Sequence, residues 1–200
     1  RSRSSRSATG IFHDDLSRPW GAPTVISLGR PQDQAPRPPA KLVLITPEHM
    51  VAFGFGAGLS PFAPGTVGTL LAVPVWVLVC WMPWPAYLML GIALFGVGVF
   101  ICGRSAKLLN VPDHSGIVFD EVVGFMVAAA SILPGQSTAA GPLWMWLVAA
   151  FVLFRFFDIV KPPPIRQLDR SVHGGLGIML DDFVAGIFAG VVLGIARWML

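Results

Sequence analysis

Between Val67 and Cys102 the chain runs for 36 residues without a charged side chain. One membrane-spanning helix needs about 20 predominantly apolar residues, so this stretch is long enough for two. It is interrupted at residues 81–85, WMPWP, where two prolines favour a turn and two tryptophans are typical of a membrane–water interface. The stretch therefore predicts two spanning helices joined by a short connection.

Three more apolar stretches follow, at residues 119–133, 143–160 and 183–200. A shorter segment, residues 47–59, comes after Thr46 and begins with Pro47, a pair typical of a helix start. We expect this segment to lie at the membrane interface or to re-enter the membrane. The predicted fold is all-α: a polytopic transmembrane helical bundle of about four to five spans, preceded by an interfacial or re-entrant helix.

The charged residues are few and unevenly placed. Only 12% of the residues are charged and 54% are hydrophobic, whereas about a quarter of a typical soluble domain is charged. This composition argues against a water-soluble enzyme. Residues 42–200 carry seven bases and eight acids, so the apolar body has no positive excess for binding nucleic acid.

Residues 1–41 differ from the rest in composition. They hold seven of the bases, three acids and six prolines, with no apolar periodicity. We predict a disordered basic extension here and a membrane-embedded domain over residues 42–200. The Arg- and Ser-rich start is also compatible with an organellar targeting segment.

The loop charges predict an orientation. With five spans, the segment before Val67 and the loops 103–118 and 161–180 share one side, and residues 82–85 and 134–142 lie on the other. The two longer loops carry five Lys or Arg and the opposite connections carry none, so the shared side is predicted to be cytoplasmic. All acidic residues fall on or near that side, which favours a protein that acts at one face.

Acidic residues near the ends of the apolar stretches are the first candidates for chemistry, because such residues are costly there and are often functional. They are Asp120, Glu121, Asp158, Asp181 and Asp182. Small residues follow at intervals of four, at positions 124 and 128 and at 186, 190 and 194. Because small residues let helices approach closely, we expect the acids to point into the bundle. Converging carboxylates suit a hard divalent cation, most simply Mg²⁺.

A structural interpretation of these acids is also open. Asp120, Glu121, Asp181 and Asp182 lie at predicted helix N-termini, where an acid is stabilised by the helix dipole. Asp158 lies near a predicted helix C-terminus, where the dipole opposes it. The set as a whole therefore favours function.

Basic residues and a helix start accompany the acids. Arg155 and Asp158 are three residues apart and can form an ordinary intrahelical pair. Lys161 precedes three prolines that end its helix, and suits either a phosphate contact or a snorkelling interfacial role. Pro64-Gly65 predicts a turn with Thr66 as the N-cap of the next helix, whose free N–H groups suit an anion; a simple turn is the alternative.

Two histidines are further candidates for chemistry. His173, in RSVHGGLG, is a candidate acid, base or phosphate contact; His114, in VPDHSG, is a weaker one, because a loop histidine is commonly solvated. The sequence has no cysteine-phosphatase loop, no D-x-D, no G-x-S-x-G and no Walker loop.

Three strings, in this order, closely resemble the phosphatidylglycerophosphatase A family: FGFGAGLSPFAPGTVGTL, DHSGIVFDEVVG and FRFFDIVKPPPIRQLDRSVHGGLGIMLDDFVAG. The resemblance covers roughly residues 48–198. It implies a Mg²⁺-dependent integral inner-membrane enzyme that removes the terminal phosphate of phosphatidylglycerophosphate to give phosphatidylglycerol. It points to Gly65, Thr66, Asp120, Glu121, Arg155, Asp158, Lys161, Asp169, His173, Asp181 and Asp182.

The resulting hypothesis is a metal-assisted phosphomonoesterase acting on a membrane phospholipid from the cytoplasmic side. The predicted catalytic residues are His173, Asp158, Asp120 and Glu121. The predicted phosphate-binding residues are Gly65, Thr66, Arg155, Lys161 and Arg170. The predicted Mg²⁺ ligands are Asp120, Glu121, Asp158, Asp181 and Asp182. Two alternatives use the same features: a cation transporter with the acids as its ion path, and a non-catalytic membrane scaffold built on the small-residue stripes.

Overall fold

A computed structural model of the chain describes residues 37–134 and 141–199. Within these ranges the chain forms helices and no strands, so the predicted all-α class is confirmed. The α-helices, in chain order, are α1 (Ala40–Ile45), α2 (Pro47–Ala52), α3 (Pro64–Val79), α4 (Trp84–Leu109), α5 (Phe119–Ala129), α6 (Leu143–Val160), α7 (Ile165–Ser171) and α8 (Gly174–Met199). Short 3₁₀ segments follow α2 and α5, at Gly54–Leu59 and Ala130–Ile132.

Three of these helices are long and apolar enough to cross a membrane: α4, α6 and α8. The uncharged stretch does form two helices, with the break at the predicted place, since α3 ends at Val79 and α4 begins at Trp84. With 16 and 11 residues, α3 and α5 measure about 24 and 17 Å along their axes, less than the roughly 30 Å of a hydrocarbon core. The predicted count of four to five spans requires one or both of them to cross as well.

Helix α5 lies at the centre of the bundle, in contact with α3, α4, α6 and α8. Its closest neighbour is α8. A Cβ atom added at Gly186 would overlap the carbonyl oxygen of Gly124, and one added at Gly190 would lie 3.2 Å from the carbonyl oxygen of Ala128. The small-residue stripes therefore form the contact between α5 and α8. The spacing predicted close helix approach, and the structure shows that the two stripes face each other.

The two ends of the bundle have different characters. Residues from the start of α3, the α4–α5 loop and the end of α6 line one common pocket, which confirms that these segments share an end. At the far end, Arg197 Nη1 donates a 2.6 Å hydrogen bond to the carbonyl oxygen of Ser131. The Arg197 guanidinium also lies 5.7 Å from the centre of the Trp146 ring.

The N-terminal segment packs against the end of α4. His49 Nδ1 and Ser105 Oγ are joined by a buried 2.8 Å hydrogen bond, and Glu48 forms a 3.0 Å ion pair with Arg104. Thr46 has the extended N-cap backbone and Pro47 opens α2, as predicted. Residues 47–59 form two short helical pieces, because the backbone takes positive φ at positions 54–56.

The predicted N-terminal extension falls largely outside the described residues, which begin at residue 37. Helix α1 begins at Ala40, so the last two residues assigned to that extension, Ala40 and Lys41, are helical. The boundary predicted at 41 therefore lies inside a helix.

Two predicted helix starts are wrong. Pro64 is the first residue of α3, with Ala63 as its N-cap, so Thr66 lies in the first turn and does not cap it. Helix α8 begins at Gly174, so Asp181 and Asp182 lie two turns inside it. The GGLG run forms the first turn of α8. A Cβ at Gly175 would overlap the carbonyl oxygen of Val99, so this turn packs directly against α4. Close helix packing compensates for the weak helix propensity of glycine.

The substitution Gly186→Ala tests whether the α5–α8 contact stabilises the fold. The added methyl group cannot fit without separating the helices, and overpacking of this kind costs about 1–3 kcal/mol. Gly96→Ala is the matched control, since no atom lies within 4 Å of its added Cβ. Unfolding is followed by circular dichroism during titration with a denaturing detergent. The free energy of unfolding should fall for Gly186→Ala and stay unchanged for Gly96→Ala. Equal stability of the two variants would contradict the assigned contact.

Candidate active site

A pocket of about 260 Å³ opens at the end of the bundle where α3 and α5 begin and α6 ends. Its lining is dominated by charged side chains. Six carboxylates and two cationic groups line it: Asp113, Asp120, Glu121, Asp158, Asp181, Asp182, Arg155 and Lys161. All five acids predicted from the sequence are therefore brought together, although they come from three separate helices.

Three of the carboxylates form the tightest group. Oxygen atoms of Asp120, Glu121 and Asp182 lie within 4.8 Å of one another, close enough to share one metal ion. Asp120 Oδ1 and Glu121 Oε2 are buried and have no hydrogen-bond partner among the described residues. Buried carboxylate oxygens without partners are costly, and a cation among them would remove that cost. The all-oxygen donor set is the kind that Mg²⁺ prefers.

Arg155 lies beside this group. Its Nη1 donates a 2.6 Å hydrogen bond to Asp158 Oδ2, one turn along α6, and lies 4.0 Å from Glu121 Oε1. The intrahelical pair expected from the spacing is thus formed, and the same guanidinium also reaches α5. Arg155 therefore connects the end of α6 to the carboxylates at the start of α5.

Gly65 explains how the start of α3 comes so close to these side chains. A Cβ atom at this position would overlap Glu121 Oε1 and lie 3.2 Å from Arg155 Nη1. Only a glycine leaves this space for the carboxylate and the guanidinium. The start of α3 consequently lies at the pocket, where the positive end of its helix dipole suits an anion.

Lys161 follows the last residue of α6 and has a left-handed backbone, with φ of 44°. Its Nζ donates hydrogen bonds of 2.5 Å to Asp181 Oδ2 and 3.2 Å to Asp169 Oδ1. Burial lowers the pKa of Lys161, but the charges of Asp181 and Asp169 outweigh burial and hold the pKa above its ordinary value. The ammonium group is therefore a fixed positive charge at the edge of the pocket.

The loop between α4 and α5 adds residues that the sequence analysis underrated. Asp113, His114 and Ser115 all line the pocket. Burial, together with the charge of Asp181, raises the pKa of Asp113 to about 6, while the charge of Lys161 opposes the shift. The sequence feature that could have identified these residues is the polar run DHS, which lies shortly before Asp120 in an otherwise apolar region.

Other predicted residues lie outside this pocket. His173 is exposed and lines a separate cavity of about 60 Å³ together with Asp169. That cavity shares Asp113 and Asp181 with the main pocket. Thr66, in the first turn of α3, is not among the residues lining the main pocket. The side chain of Arg170 lies outside the described part of the structure.

The sequence profile described as phosphatidylglycerophosphatase A matches residues 50–197, a range that contains every residue of the pocket. The chain belongs to the phosphatidylglycerophosphatase A family. This membership accounts for the strings noted in the sequence, and no solved structure matches the chain.

Curated relatives agree with this assignment. A phosphatidylglycerophosphatase A of Escherichia coli K12 is 45% identical over 157 residues, covering 77% of this chain and 86% of the relative. A phosphatidylglycerophosphatase A of Haemophilus influenzae is 41% identical, and the match covers 82% of this chain and 97% of the relative. A Bacteroides thetaiotaomicron protein, provisionally named phosphatidylinositol-3-phosphatase, is 36% identical, and the match covers 76% of this chain and 94% of the relative.

Gly65→Ala tests whether the close approach of α3 is needed for activity. The methyl group would displace the Glu121 carboxylate, and misplacement of a catalytic group by about 1 Å can cost roughly 100-fold in rate. Phosphate release from phosphatidylglycerophosphate by the purified variant should fall by at least about 10-fold. Gly96→Ala should retain wild-type release. Unchanged activity of Gly65→Ala would show that the pocket does not depend on this contact.

Proposed function

We propose that the protein hydrolyses phosphatidylglycerophosphate to phosphatidylglycerol and inorganic phosphate, in phosphatidylglycerol synthesis. Family membership supports the reaction and the substrate. The observation that carries the proposal for this chain is the grouping of Asp120, Glu121 and Asp182 within 4.8 Å, beside the guanidinium of Arg155.

The charge of the pocket supports a requirement for a divalent cation. Six carboxylates and two cationic side chains leave four more negative than positive charges when all are ionised. A phosphate monoester carries up to two negative charges of its own and would be repelled. We assign Mg²⁺ to Asp120, Glu121 and Asp182, with Asp158 and Asp181 beside them. When bound, the ion would neutralise charge on the phosphate and orient the attacking water.

The chain's own residues would then position the phosphate. Arg155 presents a planar set of N–H donors that matches phosphate oxygens, and Lys161 adds a point charge. The starts of α3 and α5 add the positive ends of two helix dipoles. Phosphoryl transfer depends mainly on such positioning and on charge stabilisation.

The reaction itself balances without any other reagent. A bond forms between the water oxygen and phosphorus, and the bond from phosphorus to the glycerol oxygen breaks. One proton of the water ends on the glycerol oxygen, which becomes the free hydroxyl of phosphatidylglycerol. The acyl chains remain among the lipids while only the headgroup phosphate enters the pocket.

The two alternative functions fit the charge distribution less well. A cation path would need acids along the depth of the bundle, but every acid in the described residues belongs to segments at or near the pocket end. A scaffold would need only the glycine contacts between α5 and α8. It would leave the burial of Asp120, Glu121 and Asp182 without a compensating role.

Carboxylate removal and metal removal test the reaction. Asp120→Asn, Glu121→Gln and Asp182→Asn should each lower phosphate release by about 10³-fold, because each removes charge that holds the cation. Glu48→Gln is the matched control: this acid pairs with Arg104 away from the pocket and should retain near wild-type activity. EDTA should abolish wild-type activity and added Mg²⁺ should restore it. Full activity in EDTA would refute the metal requirement, and no release by folded wild-type protein would refute the reaction.

We also propose that the pocket faces the cytoplasm at the inner membrane. Five basic residues lie at the pocket end, in the last turns of α4 and in the segment between α6 and α8: Arg104, Lys107, Lys161, Arg166 and Arg170. In the described residues, Arg197 is the basic residue at the far end, and its guanidinium donates a hydrogen bond to the carbonyl oxygen of Ser131. This asymmetry agrees with the positive-inside rule.

Single-cysteine labelling tests this orientation. Lys107→Cys and Pro142→Cys place exposed thiols at the pocket end and the far end. The native Cys80 and Cys102 are buried and should give little background. In intact bacterial cells, a membrane-impermeant maleimide should label position 142 at once and position 107 only after permeabilisation. Labelling of both positions from the same side would contradict the topology, provided that both variants remain active.

A further inference from the structure

The α4–α5 loop is fixed by contacts with the segment that follows α2. The Val118 amide donates a 2.8 Å hydrogen bond to the carbonyl oxygen of Ala52. A Cβ at Gly58 would overlap the carbonyl oxygen of Gly116, so the two backbones touch. Within the loop, the Ile117 amide donates a 2.8 Å bond to the His114 carbonyl oxygen, closing a turn. The loop that lines the pocket therefore has a defined conformation.

The ring of His114 is held within this loop. Its side chain is 3% exposed, and its ring centre lies 5.5 Å from that of Phe53 at an angle of 40°. The Gly116 amide donates a 3.0 Å hydrogen bond to His114 Nδ1. The ring is thus fixed by a packing contact on one side and a hydrogen bond at one edge, while the residue lines the carboxylate pocket.

The hydrogen bond from Gly116 defines the protonation state of the ring. A backbone amide can only donate, so Nδ1 must be the acceptor and the single ring proton lies on Nε2. A neutral imidazole cannot act as a general acid, since loss of its only N–H proton would leave an imidazolate. It cannot accept a proton at Nε2, which already carries one. What it can do is donate one hydrogen bond.

We propose that His114 contacts the substrate, donating a hydrogen bond from Nε2–H of its neutral ring to an oxygen of the lipid phosphate. Such a donor would add to the contacts of Arg155 and Lys161, whose side chains also form ion pairs with Asp158 and with Asp169 and Asp181. A neutral donor stabilises the phosphate without repelling a divalent cation. This inference rests on the proposed phosphatase reaction and assigns the substrate contact to His114 instead of His173.

Two substitutions at position 114 separate hydrogen-bond donation from acid–base chemistry. The amide group of His114→Gln places an N–H donor near the position of Nε2, whereas His114→Phe keeps a ring and removes the donor. The loss of a hydrogen bond to a charged group corresponds to roughly 10- to 150-fold. We expect kcat/KM for phosphatidylglycerophosphate to fall by about that factor in His114→Phe and to stay within about 10-fold of wild type in His114→Gln.

The controls separate this inference from the proposed reaction. Unfolding in detergent is measured for both variants, and kinetics are compared per folded protein. His173→Gln, assayed in parallel, should lower kcat/KM less than His114→Phe does. If folded His114→Gln is as impaired as His114→Phe, or if His114→Phe has wild-type kcat/KM, the donor role is overturned. If wild-type protein releases no phosphate from the lipid, the reaction itself is refuted.

Discussion

The backbone contact between α5 and α8 determines the geometry of the site. Gly124 and Gly186 touch without intervening side chains, and a Cβ at Gly124 would lie 2.7 Å from the carbonyl oxygen of Asp182. Asp120 lies four residues before Gly124, one turn towards the pocket, and Asp182 lies four residues before Gly186. Because each acid is one helical turn from the point where the helices touch, the two carboxylates must be neighbours. The packing motif and the chemical group are thus set by the same helix register.

The same arrangement creates an electrostatic cost that the surrounding segments reduce. Carboxylates gathered in a partly dry pocket repel one another, and each loses hydration. Arg155 and Lys161 offset part of this charge, and both lie towards the C-terminal end of α6. The starts of α3 and α5 add the positive ends of their dipoles. These contributions leave the negative excess that suits a divalent cation.

Much of this could be predicted from the sequence, because it depends on local patterns. The long uncharged stretch predicted α3 and α4, and the spacing of small residues predicted close helix packing along one face of α5 and of α8. The acids were identified because charge is rare and expensive in such a chain. The alternation of helices and loops along the chain predicted which loops lie at the same end of the bundle.

The remaining features depend on contacts between distant segments. Local rules placed a helix start after the GGLG run, whereas α8 begins with the first glycine of that run, where Gly175 lies against α4. Thr66 was taken as a cap because the left-handed backbone of Ala63 cannot be seen in the sequence. His114 was underrated because its burial depends on Phe53, a residue 61 positions earlier in the chain.

The order of the helices along the chain has a consequence for biogenesis. The ribosome delivers Asp120 and Glu121 first, Arg155 and Asp158 next, and Asp182 last, on a helix that is also the main neighbour of α5. A nascent chain that has not yet inserted α8 therefore lacks both the third carboxylate and the surface that buries the central helix. Assembly of the three-carboxylate group and consolidation of the bundle therefore become one late event.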